Sequence, residues 1–240
     1  MKFSLALAST TLLQANSLSI QKLGSNNNHN PKALIAQYPG LCPNVTGTSN
    51  FSQGPYIANN WWTIATSPFF WYTEETACST ATYKLSENFP GYIDVFNSGL
   101  APPENDQNSN SSFDNWTRYG SNGTAIVVPN MTGTLSVTFP YPRLADPNDP
   151  NYIILATDNE SYSYVWSCDQ KQPNRFRPIL WILNRDQNLS ATLVRQQAAY
   201  AIDLLEYKFG WSDAKKFGEK MFTLQTKGCP AVPDFTEPEM

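Results

Sequence analysis

The sequence predicts an all-β domain, an antiparallel sandwich or barrel, followed by one helix. Three observations lead there. Between residues 78 and 185 lie about eight short runs rich in β-branched and aromatic residues, separated by turn residues and with no helical segment between them. The stretch N-Y-I-I-L-A-T-D-N-E-S-Y-S-Y-V-W-S-C, from Asn151 to Cys168, reads as a hairpin. After Ser190 the apolar period changes from 2 to about 3.6.

Cys78–Leu85 sets Ser79, Ala81 and Tyr83 against Thr80, Thr82 and Lys84. Tyr92–Asn97 also alternates, and Leu100–Ser112, with Pro102-Pro103 and many Asn and Ser, reads as a loop. Phe113–Tyr119 and Thr124–Val128 are weaker strands. Leu135–Tyr141 alternates Leu135, Val137, Phe139 and Tyr141 against small or polar residues, and the Pro/Asp/Asn run Leu144–Pro150 is a loop. In the hairpin, Tyr152–Thr157 and Tyr162–Cys168 are the strands. Asp158 and Asn159 supply the turn, because both tolerate left-handed backbone and bond their own main chain. Arg177–Arg185 is the last strand. Ala191–Phe209 then places Val194, Ala198, Ala201 and Leu205 on one face of a helix, with Ser190 as N-cap and Gly210 as stop.

Composition narrows the function. The 240 residues carry a net charge of −4, 13% aromatic and 15% charged residues, and no basic cluster, which argues against a nucleic-acid partner. Residues 1–17 have a secretory signal pattern: Lys2, the apolar run Phe3–Leu13 and the small-x-small site Ala15-Asn16-Ser17. That run is too short to span a bilayer and no longer one follows, so no membrane span is expected. Residues 18–40 read as a disordered Asn-rich leader. N-x-S/T sequons at Asn44, Asn50, Asn110, Asn115, Asn122, Asn130, Asn159 and Asn188 fit an extracellular glycoprotein, each occupied site needing to face solvent. Four cysteines in such a chain suggest two disulfides, with three pairings open, and their spacing does not suit zinc. The one histidine, His29, falls in the leader, which leaves the domain without a histidine base or a multi-histidine metal site.

The hairpin resembles the second signature of the lipocalin family, T-D-x-x-x-Y, at Thr157, Asp158 and Tyr162, and the branch with apolipoprotein D and the bilin-binding proteins in its aromatic-serine-cysteine ending Trp166-Ser167-Cys168. Residues 55–67, P-Y-I-A-N-N-W-W-T-I-A-T-S, resemble the first signature, Gly-x-Trp, with Trp61 as its tryptophan and Asn59 in place of the glycine. Asn59 can take the left-handed backbone in that place. Arg185, ending W-I-L-N-R, matches the third signature.

The resemblance implies an eight-stranded antiparallel up-and-down barrel over residues 41–230, one C-terminal helix packed outside it, and a tail at 231–240. It implies disulfides Cys42–Cys168 and Cys78–Cys229, each closing a loop long enough for roughly 4–5 kcal/mol in the chain-entropy model. Arg185 would lie over Trp61 at the closed end. Tyr83, Val137, Phe139, Tyr152, Ile154, Val165, Trp181 and Leu183 would line the cup, joined by Ala81, Tyr141 and Ile179, while Phe69, Phe70, Trp71 and Tyr72 would shape its mouth.

The function so implied is a secreted, non-enzymatic carrier that binds a small hydrophobic molecule, whether fatty acid, steroid, retinoid, carotenoid or bilin. No cofactor is required, although a bilin, carotenoid or lipid would be the bound species. A cell-surface receptor or a second copy of the chain is a further partner to expect. The alternatives are an extracellular glycoprotein acting through surface contacts and, behind it, an enzymatic lipocalin.

Overall fold

The computed structural model describes residues 37–67, 76–103, 113–224 and 226–232. The signal segment, most of the leader, Asn110 and the four aromatics Phe69–Tyr72 lie outside the described residues.

Eight antiparallel strands follow one another around a closed barrel: β2 (Trp61–Thr66), β3 (Ala77–Leu85), β4 (Ile93–Ala101), β5 (Thr117–Val127), β6 (Thr134–Thr138), β7 (Tyr152–Thr157), β8 (Tyr162–Gln172) and β9 (Arg175–Asn184). Pairing of β9 with β2, Trp62 opposite Asn184 and Thr66 opposite Trp181, closes the sheet, so neither strand is left with an open edge. Two short strands extend the sheet, β1 (Tyr38–Pro39) on β9 and β10 (Phe222–Thr223) on β2. Tyr38 is only 4% exposed, so the end of the segment read as leader packs into the domain.

The strand count agrees with the sequence but its membership differs. The two weak runs around 113–128 are one long strand, β5, preceded by a turn of 3-10 helix at Phe113–Asn115. Trp61–Thr66 supplies the remaining strand. Residues 100 and 101 continue β4 rather than open a loop. Leu135–Tyr141 is cut short at Thr138, because Pro140 has no N–H to give a ladder. Tyr141 therefore leaves the barrel wall, and its ring meets Phe89 at 6.1 Å.

Alternation along the strands sends side chains to two cores. Inside the barrel lie Trp61, Tyr83, Ile93, Val95, Ala125, Leu135, Ile154, Val165 and Leu183, with Tyr56 below them from α1 (Gln53–Ile57). Outside lie Ile64, Tyr164, Trp166, Leu180 and Ile182, covered by α2 (Ala191–Asp203) and its continuation as one π-helical turn, Leu204–Lys208. Helix α2 buries Val194, Ala198, Ala201 and Ile202, the π turn buries Leu205, and Ser190 caps the start by accepting from the Leu193 N–H. Gly210, at φ +71°, ends the segment in the left-handed region, where glycine is the least strained residue. Beyond it Trp211 and, from α3 (Ala214–Gly218), Phe217 pack edge-on against Trp166, at 5.3 and 6.1 Å.

Both implied disulfides are present, Cys42–Cys168 and Cys78–Cys229, with sequence separations of 126 and 151. They tie the segments before and after the barrel to its wall. Loops of that length reduce the entropy of the unfolded chain by the equivalent of about 5 kcal/mol each. Replacing Cys78 and Cys229 together by Ser should thus lower the unfolding free energy by several kcal/mol in urea titrations. A loss below about 1 kcal/mol would show that native contacts, not the cross-link, hold the tail.

A tyrosine-floored cavity sealed by Arg185 and Trp61

The two ends of the barrel differ. At the closed end, chain order brings together the start of β2, the β7–β8 turn and the residue after β9. Arg185 stacks on Trp61 with its guanidinium carbon 3.6 Å from the ring centroid. The same guanidinium donates to three backbone carbonyls around α1: Asn59, Pro55 at 3.2 Å and Tyr56 at 2.8 Å. Trp61 Nε1 donates to the same Tyr56 carbonyl at 2.9 Å. Burial lowers the Arg185 pKa to about 10, against nearby Tyr56, Tyr83 and Asp158, so it remains a cation at neutral pH. Asn59, in the glycine place of the first signature, keeps a negative φ, so the left-handed turn expected there does not form. At Asn59 it is the backbone carbonyl that meets Arg185.

The β7–β8 turn supports this seal. Asp158 accepts from the main-chain N–H groups of Glu160, Ser161 and Tyr162 at 2.8–3.1 Å, and from the Ser161 hydroxyl. Partial burial pushes its carboxyl up, but these bonds outweigh it and hold the pKa below the usual value. Thr157 donates to the Tyr162 carbonyl at 2.6 Å, and Asn159 takes the left-handed conformation at φ +68°. The T-D-x-x-x-Y motif is thus a self-bonded hairpin turn. Asn159 also reaches across, accepting from Ser52 N–H and donating Nδ2 to the Asn50 carbonyl at 2.7 Å. Its amide is engaged in the fold, unlike those of the exposed sequon residues Asn44, Asn50, Asn115, Asn130 and Asn188. Asn122 is half-buried in β5.

Above the seal lies a cavity of about 880 Å³. Its apolar and aromatic lining includes Ala81, Tyr83, Val95, Val137, Phe139, Tyr152, Ile179, Trp181 and Leu183, and Tyr152 stacks on Trp181 at 6.4 Å. Most of the residues expected in the cup are here. Ile154 and Val165 are not. They are register partners facing inward, as alternation requires, but they sit a step lower and pack fully buried into the floor. Tyr141 is absent because its strand ends early. Sequence reading missed Thr63, Thr66, Asn97, Ser98, Tyr119, Asn151 and Ser167, which add polar atoms to the wall. Thr80 and Ser98 bond each other at 2.9 Å, and a shift in register between Ala77 and Thr80 brings Ser79 and Thr80 both to the lining, which strict alternation forbids.

Tyr56 is the other residue missed. It comes from a five-residue helix too short to show a periodicity. Its hydroxyl bonds Ser163 at 3.1 Å and Tyr152 at 3.0 Å, and Tyr152 bonds Tyr83 at 3.0 Å. A single chain of hydroxyls, Ser163–Tyr56–Tyr152–Tyr83, thus floors the cavity. Burial is the main cause that pushes the Tyr56 pKa up to about 12, against its hydrogen bonds and Arg185. Burial also raises Tyr83 and Tyr152; the neighbouring tyrosines add to it at Tyr152, whereas at Tyr83 the charge of Tyr56 adds and the Tyr152 bond and Arg185 oppose.

A model of the lipocalin-like domain matches residues 56–208, well over half of the chain. The protein is a member of the lipocalin family. Lipocalins bind small hydrophobic ligands. Among curated relatives, the Lazarillo protein of Schistocerca americana is 31% identical over 150 residues, a match spanning 62% of each chain. Mouse apolipoprotein D is 29% identical over 191 residues, covering 80% of this chain and 85% of the relative. The fold is similar to insecticyanin of Manduca sexta, with a TM-score of 0.55 at 19% identity over 84% of this chain and 89% of that one. It is also similar to lobster apocrustacyanin A1, with a TM-score of 0.54 at 18% identity over 81% and 93%.

Two predictions follow from the seal and the floor of this lipocalin. Arg185→Lys keeps the charge but loses the planar fork that serves three carbonyls and one ring. It should destabilise the fold by about 2 kcal/mol in chemical denaturation, whereas a change under 0.5 would mean the stacking is incidental. The tyrosines set an alkaline limit. Unfolded tyrosine ionises near pH 10, whereas Tyr56 holds its proton to about 12 in the fold, so the unfolded chain binds fewer protons in that window and stability falls as pH rises. The stabilisation is complete below pH 10, and about 3 kcal/mol from Tyr56 alone should be gone above pH 12. Absorbance at 295 nm should show these tyrosines ionising only together with unfolding.

Proposed function

We propose that this lipocalin is a secreted carrier that holds one small hydrophobic molecule non-covalently in its barrel. The observation that carries the reading is the 880 Å³ cavity with Trp181, Phe139, Val137 and Ile179 in its wall and tyrosine hydroxyls at its floor. That volume lies within the usual range for small-molecule sites. Burying roughly 400 Å² of apolar ligand surface gives about 10 kcal/mol gross, and association removes several, so micromolar or tighter binding needs no charged anchor. The ligand belongs to the class of fatty acids, steroids, retinoids, carotenoids or bilins. Tyr83 and Tyr152, held neutral, offer hydrogen bonds rather than a base, which favours binding over catalysis. Secretion fits the signal-like residues 1–17 and the two long-range disulfides, which persist in oxidising compartments.

The direct test is mass spectrometry of whatever is extracted from protein purified from its native source, together with its absorption spectrum. A visible band with a bilin or carotenoid mass makes it a pigment carrier, and a colourless lipid makes it a lipid carrier. An empty barrel whose tryptophan fluorescence no such ligand quenches would overturn the proposal. Replacing Tyr83 and Trp181 together by Ala should weaken the bound ligand more than tenfold, and unchanged affinity would place the site elsewhere.

A further inference from the structure

The hydroxyl chain under the cavity has one proton too many. Ser163, Tyr56, Tyr152 and Tyr83 bring four O–H donors, and the three links between them use three protons. In such a line one hydroxyl donates to none of the others, and every link must point toward it. No further acceptor meets these four hydroxyls among the described residues. At Ser163 or Tyr56, which are 0% and 1% exposed, the spare proton would be a buried donor without a partner, and such a donor costs free energy. Tyr83 and Tyr152 both line the cavity, where an incoming atom can take it.

We propose that the floor of the cavity is a hydrogen-bond donor site, formed by Tyr83 and Tyr152 together, that selects ligands entering with an acceptor oxygen, a carbonyl or carboxyl, at their leading end. The inference rests on the carrier reading and names which hydrophobic molecules the carrier prefers. The apolar body of the ligand lies along Trp181, Val137 and Phe139, and its oxygen lies on the tyrosines. An ether or aldehyde oxygen serves as well as an acid, because what is required is a lone pair. A ligand end that is a bare hydrocarbon leaves the spare O–H unpaired.

The proton count makes a specific demand on variants. Tyr83→Phe leaves Ser163, Tyr56 and Tyr152 with three protons and two links, so one proton still faces the cavity from Tyr152. Tyr152→Phe leaves the hydroxyl of Tyr83 free to donate. Only the double variant removes the donor from the cavity. The experiment measures quenching of tryptophan fluorescence by retinal and by its hydrocarbon analogue with a methyl group in place of the aldehyde. The wild-type chain should bind retinal roughly tenfold more tightly than the hydrocarbon, the worth of one buried hydrogen bond. Each single Phe variant should keep most of that preference, and Tyr83→Phe with Tyr152→Phe should abolish it while still binding the hydrocarbon. The vibrational spectrum of retinal bound to the wild-type protein gives a second readout that needs no variant: its C=O stretch should lie lower than in hexane. Equal affinity for the two probes, with an unshifted C=O stretch, would overturn the donor site but leave the carrier reading standing. Failure of the wild-type chain to bind either probe, or any fatty acid, steroid, carotenoid or bilin in the same assay, would overturn both.

Discussion

The barrel depends on the closing of one end, and that end is closed by a single cation on a single ring. Arg185 lies on Trp61, and both donate to the carbonyl of Tyr56. Three parts of the chain, the helix before the first barrel strand, the start of that strand and the residue after the last, are thereby held at one point. A cation stacked on an indole and bonded to several carbonyls is more strongly fixed than an exposed charge, because the surrounding protein screens it less than water would. Without it, the Tyr56 main chain would lose its charged donor, and the Trp61 N–H and the hydroxyl bonds to Ser163 and Tyr152 would be left to hold the floor of the cavity.

The cavity exists because the strands bury residues on both faces. Trp166, Leu180 and Ile182 face outward, yet they are fully buried because α2 and the segment after it cover that side of the barrel. The outer layer thus holds the wall in shape from outside. The inner side chains are then free to leave space in the upper half while they fill the lower half with Ile154, Val165, Leu135 and Ile93. The two disulfides act on the same outer side, fixing the chain before β2 and after α3 to strands β8 and β3.

At the floor of the interior the polar content is a line of hydroxyls that bond one another. A buried hydroxyl is tolerable when it has a partner and costly when it does not. The tyrosines of the floor satisfy one another within the barrel, and their raised pKa values keep them uncharged beneath an apolar ligand. Specificity in such a cavity comes from the one group that its neighbours do not satisfy.

Alternation, turn chemistry and the change of period at Ser190 were enough, from the sequence alone, to set the all-β class, the hairpin at 152–168, the terminal helix and which residues of a strand share a face, while the family resemblance said which face points inward. These are local properties: a residue two positions along a strand shares its face whatever the rest of the chain does. The motifs around Trp61, Asp158 and Arg185 added closure of the barrel and its sealed end. Depth within the barrel was decided only by tertiary structure. Ile154 and Tyr152 share a face, but one fills the floor and the other reaches the cavity, because strand tilt and side-chain length set the height at which an atom arrives. The merging of two weak runs into β5, the early end of β6 and the register shift in β3 followed from partners far along the chain. So did the line of hydroxyls from Ser163 to Tyr83, whose members lie up to 107 residues apart and meet only once the barrel has closed.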